Sequence, residues 1–238
     1  MRFSAALLLL LVLTGPAQAQ SVALDLGGGD SVSMRTVQLF LVVTVLSLAP
    51  GLAVMLTCFP FIVTVLSIVR QAIGVQQAPP NMLIVSLALF LTWFVMEPTL
   101  MAAWTTGISP MVEGTLDVQE AIPIAIEPFR GFMEARVDLD TLGTLADARG
   151  MELDPESPPL HMLVPAFMLT EVQRGFEVGF LIFLPFLVID LVIAAILMSM
   201  GMMMVPPAVV ALPFKLAFFV LADGWALLAG ALIRSYAP

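Results

Sequence analysis

Met198-Ser199-Met200-Gly201-Met202-Met203-Met204-Val205-Pro206-Pro207 decides how this chain is read. Five of its sixteen methionines fall within seven residues, between two long apolar runs. Proline lacks an amide donor and disfavours helical geometry in the residue before it, so Pro206-Pro207 separates two helices and the methionines occupy the turn between them. Methionine is flexible and polarizable and conforms to a changing surface better than Leu or Ile. Two readings follow: core filling, or a deformable seal if several subunits each contribute such a turn.

Outward from this turn, composition points to a membrane. The 238 residues are 60% hydrophobic and 11% charged, with mean hydropathy +1.05, beyond the range of ordinary soluble domains. The net charge of −9 argues against a nucleic-acid partner. A single cysteine, Cys58 in an apolar run, allows no intramolecular disulfide, and a single histidine, His161, excludes a multi-histidine site. Residues 1–19 resemble a signal peptide, with Arg2, an apolar core and Ala17-Gln18-Ala19 before the expected cleavage. Residues 20–36, with Gly27-Gly28-Gly29, then form a flexible tail on the far side of the membrane.

Four apolar stretches follow. They cover residues 37–69, interrupted at Pro50-Gly51 and Pro60; 82–104, interrupted at Glu97-Pro98; 178–204, containing Pro185 and Asp190; and 208–233, containing Pro213, Lys215 and Asp223. Each is long enough to cross a bilayer core of about 30 Å. Yet each carries proline and three carry charge, and broken or charged helices at membrane depth need protein or a water-filled cavity around them. The expected fold is all-α and membrane-associated: two broken helical hairpins, residues 37–105 and 161–238, within a larger helical assembly.

An acidic insertion, residues 106–160, joins the hairpins. Eleven acids against three arginines give it a net charge of −8, and four crossings from an exported N-terminus place it outside, on the far side of the membrane, with Arg70 beside an inside turn. Helices are expected within it. Phe129, Phe132, Met133 and Arg136 recur at three- and four-residue spacing, and that face packs either on its own chain or on another subunit.

The chain has no phosphate loop, no His-Glu zinc pattern and no nucleophile elbow, so nothing in it argues for an enzyme or a cofactor. One charged pair stands out. Asp190 lies thirteen residues before Met203 and Lys215 twelve after it, so in an antiparallel hairpin they stand about 19 Å and 18 Å from the turn and roughly level. A buried carboxylate and ammonium at one depth relieve part of each other's desolvation. The alternative role for such a pair is a proton relay in a small-solute or proton-coupled transporter.

Three segments carry a resemblance to a known family: Phe183-Leu184-Pro185-Phe186-Leu187-Val188-Ile189-Asp190, Met200-Gly201-Met202-Met203-Met204-Val205-Pro206-Pro207, and Ala211-Leu212-Pro213-Phe214-Lys215-Leu216 with Asp223-Gly224-Trp225. With Ala78-Pro79-Pro80-Asn81 and Leu163-Val164-Pro165-Ala166-Phe167 followed by Glu171, they resemble the FliP family of flagellar export proteins. The resemblance implies an inner-membrane subunit of the type III export gate in the flagellar basal body. Five copies would assemble with FliQ and FliR, beside FlhA and FlhB, around a path for unfolded flagellar subunits. It implies that Met202, Met203 and Met204 form a gasket, on a turn shaped by Gly201, Pro206 and Pro207. Many relatives carry a basic residue where this chain has Phe61, so any contact made by that charge does not carry over.

Overall fold

The computed structural model describes residues 36–37, 39–41, 43–44, 47–48, 51–52, 54–75, 78–152, 154, 157–202 and 204–236. The expected signal peptide, most of the tail and Met203 lie outside the described residues. The chain divides into two units at Leu48 and Ala49. In the first, the described residues are helical, and Thr44 Oγ1 donates to the Phe40 carbonyl at 2.7 Å. All that follows concerns the second unit, in which the regular structure of the described residues is entirely helical.

The spine is α1, Phe59–Ile73, which starts with Pro60 in its first turn, where a missing amide costs no helical bond. Phe61, Ile62, Val65, Leu66, Val69 and Ala72 make a buried stripe at helical period. Gly74, left-handed at φ 86°, ends the helix and donates to the Gln71 carbonyl. α2, Asn81–Ala103, returns alongside it and passes through a π-helical turn, Trp104–Ile108, into the short α3, Ser109–Val112. The Arg70 guanidinium bonds Asn81 Oδ1 across the α1–α2 connection.

The acidic insertion holds α4, Val118–Glu134, and α5, Leu139–Arg149. Asp138 caps α5 by accepting hydrogen bonds from the amide and hydroxyl of Thr141, at 3.0 and 2.8 Å. Those bonds hold its carboxyl below the usual range. The apolar face expected at Phe129, Phe132 and Met133 packs on its own chain: Met133 is fully buried with Leu163 and Phe167, and the Phe132 ring meets Phe167 edge-on at 5.7 Å.

α6, Leu160–Ser199, runs for 40 residues, about 60 Å and twice a bilayer core. Its first half buries Leu163, Phe167, Thr170 and Glu171 against the rest of the chain, whereas its second half leaves Phe180, Leu181, Val188 and Leu191 exposed. α1 lies along it more extensively than any other pair of helices touches, and two glycines make that approach possible. A Cβ on Gly175 would stand 3.0 Å from Thr64, and one on Gly179 only 2.4 Å from Ile68 Cδ1. α7, Pro207–Leu221, and α8, Gly224–Arg234, complete the chain.

The prolines correct one expectation. α2 continues through Pro98, α6 through Pro165 and Pro185, and α7 through Pro213, so none of these interrupts its helix. An internal proline removes a single backbone bond and costs about 3 kcal/mol, which extended helix–helix packing offsets. The fourth apolar stretch breaks elsewhere. Asp223 is left-handed at φ 50°, Gly224 lies against the Phe219 ring, and α7 and α8 meet at a 60° bend. Residues Asn81–Val112 and α6 are each long and apolar enough to cross a membrane, and α7 with α8 would make a third, bent span. Two or three candidate spans thus stand among the described residues where the sequence suggests four.

Candidate functional site

The end of α6 is closed by two crossed hydrogen bonds. The Gly201 amide donates to the Met198 carbonyl at 3.0 Å and the Met202 amide to the Leu197 carbonyl at 2.9 Å. This pairing needs a left-handed residue, and Gly201, at φ 75°, supplies it without a side-chain clash. Pro206 and Pro207 then start α7, with Pro206 extended at ψ 118°. Between these stops the methionines turn outward: Met204 is 97% exposed and Met202 41%. Met198 and Met200 are exposed as well. The described methionines of the turn therefore do not fill this chain's own core.

Behind the turn, α6 and α7 form its stem. Lys215 Nζ stands 2.6 Å from Asp190 Oδ2 and donates to the Ala72 carbonyl at 3.1 Å. One ammonium thus joins three helices, and it satisfies a terminal carbonyl of α1 that has no partner within its own helix. Among the described residues, Asp190 Oδ1 is buried with no hydrogen-bond partner.

A second buried charge cluster escaped the reading of the sequence. Glu171 has no exposed surface. Its Oε1 accepts from Arg136 Nε at 2.9 Å, and its Oε2 accepts from the Tyr236 hydroxyl. The same guanidinium lies 3.8 Å over the Tyr236 ring and donates to the Ser235 carbonyl at 3.1 Å, adding a cation–π contact to the ion pair. Burial, reinforced by the Glu171 charge, pushes the Tyr236 hydroxyl well above its usual range, so it remains a donor. Phe61 is buried and meets the Tyr236 ring edge-on at 5.6 Å. The cluster ties the insertion, the long helix and the C-terminal residues together. Its signal in the sequence was an acid and an arginine, each with other charged residues close by in the chain, and nothing local reveals partners at separations of 35 and 65 residues.

Burial also pushes the Cys58 thiol up to about 12, too high for a nucleophile at neutral pH. Among the described residues, no three His, Cys, Asp or Glu side chains converge as a metal site would require. His161 is exposed at the start of α6.

The sequence model described as the FliP family matches residues 42–232, most of the chain. The chain belongs to the FliP family. It is 49% identical over 228 residues to the flagellar biosynthetic protein FliP of Caulobacter vibrioides, covering 94% of this chain and 86% of that one. It is 46% identical to the FliP of Agrobacterium fabrum, with 99% of both chains covered. The FliP of Bacillus subtilis is 44% identical over 84% of this chain and 92% of its own. The FliP match spans the methionine turn, both ends of the Asp190–Lys215 pair, Arg136 and Glu171, and stops short of Tyr236.

Proposed function

We propose that this chain is a channel-forming subunit of the flagellar protein export gate, and that its methionine turn seals the channel. The observation that carries this reading is a cluster of outward-facing methionines on a turn fixed at both ends. Met202 and Met204 are exposed, the turn is closed by Gly201 and Pro206, and its stem is pinned by Lys215. Thioether side chains pack against one another when nothing passes and give way on soft torsions when a polypeptide does. Met203, between the two, belongs to the same gasket.

In this reading several copies surround one axis, five by family likeness, with FliQ and FliR in the same core and FlhA and FlhB beside it. Unfolded flagellar subunits cross through the centre. The assembly sits at the inner membrane in the basal body, with the acidic insertion on the periplasmic side. No catalytic step or cofactor is needed for this role. Asp190 and Lys215, which suggest a proton relay in the alternative transporter, are engaged with each other and with the end of α1. That arrangement favours a structural role for the pair.

Replacing Met202, Met203 and Met204 together by Ala tests the seal. Assembly should survive, because the bonds that close the turn are made by backbone and proline. Ion conductance through the resting gate should rise several-fold, and flagellar protein export should fall. An assembled triple-Ala gate as tight as the parent would falsify the gasket.

A further inference from the structure

Trp93, Glu97, Met101 and Trp104 follow one another along α2 and its π-helical turn at spacings of four, four and three residues, a continuous stripe at helical period. With Ile108 and Phe129 they line an open cleft of about 380 Å³. Two local features shape it. The π-helical turn at Trp104–Ile108 is a form often found at functional sites. Gly107 within it lets α4 come so close that a Cβ there would stand 2.6 Å from Ala125 Cβ. One helical turn further along α4, Phe129 forms part of the cleft wall.

Glu97 is the sole charged residue of α2. It is exposed, and among the described residues it makes no hydrogen bond or ion pair. A carboxylate on an otherwise apolar helix long enough to cross a membrane calls for a partner. Aromatic faces beside a carboxylate select a cation, because ring quadrupole and anion both attract positive charge. Apolar walls suit the methylene stem of a long basic side chain. Arg70, Arg130, Arg136 and Lys215 are already engaged elsewhere in the chain.

We propose that this cleft is a socket for the arginine or lysine side chain of an adjoining polypeptide in the assembly. The socket rests on the export-gate reading in that the chain adjoins another polypeptide, and it does not depend on the methionine seal.

The test places the photoreactive residue benzoylphenylalanine at Met101 of the full-length chain, in cells that make the whole export apparatus. Adducts are sequenced by mass spectrometry. The expected adduct is to one polypeptide segment, adjacent to an Arg or Lys. Glu97→Gln should lower its yield several-fold at an unchanged membrane level of the chain. Glu97→Arg should abolish it, and a Glu substitution of the partner's basic residue in that background should restore it. If Glu97→Arg depletes the chain from the membrane, the Glu97→Gln yield decides. An adduct to phospholipid alone, an adduct to a segment without a basic residue, or a yield indifferent to Glu97→Gln would each overturn the socket. So would silence from Met101 when the same probe at the exposed Val209 reacts.

Discussion

Arg136 and Glu171 stand in a protein interior, the first 14% exposed at its side chain and the second not at all. Removing one partner of such a pair leaves the other charge buried and uncompensated, which typically costs about 3–5 kcal/mol. Glu171→Ala should therefore destabilise the chain by that order, read as a fall in thermal unfolding midpoint in detergent. Glu171→Gln, which keeps the side chain's volume and an acceptor for Tyr236, should cost less. The Asp190–Lys215 pair is a different case, because the Asp190 side chain is 37% exposed while Lys215 is 8% exposed, so the pair is only partly desolvated. Its coupling energy should be about 1 kcal/mol. A double-mutant cycle with Asp190→Asn and Lys215→Met measures it, and additive single effects would remove the pair from the account of what fixes the stem.

Between elements, the closest approach is that of α1 on α6 at Gly175 and Gly179. Small residues four apart on an apolar helix let a neighbour come close, as in many membrane helix pairs. Gly179→Val would press its methyl groups into Ile68. Overpacking of this kind costs about 1–3 kcal/mol, so proteolysis of the purified chain should accelerate, with new cleavage in α1 or α6. A Gly179→Val chain as protease-resistant as the parent would show that this contact is loose. The glycine spacing was plain in the sequence, yet helical period alone does not say which helix lies opposite. The register of the α6–α7 hairpin was more legible, since rise per residue alone sets Asp190 and Lys215 level. The prolines misled because a local rule forecasts a break, whereas the outcome depends on packing that a single segment does not reveal. The bend at Asp223 carried no breaker stronger than Asp-Gly within an apolar run.

On the scale of the whole molecule, the apolar runs made the helical, membrane-associated character of the described residues legible, and motifs made the family legible. The Arg136–Glu171–Tyr236 cluster was not, because its members meet only once the insertion folds back on α6 and the C-terminal residues arrive. That cluster and the methionine turn stand at opposite reaches of one helix. Twenty-eight residues separate Glu171 from Ser199, about 42 Å of helix. Such a helix works as a lever arm with its fulcrum at Glu171. A tilt of about 5° there sweeps the far tip through roughly 4 Å at that helical rise, the width of a methylene chain. Leverage makes alignment at the tip a property of the fulcrum. In the gate proposed above, loosening the fulcrum by Glu171→Gln should then raise resting conductance while all the methionines are intact, and unchanged conductance would show that the tip is aimed by its immediate neighbours instead.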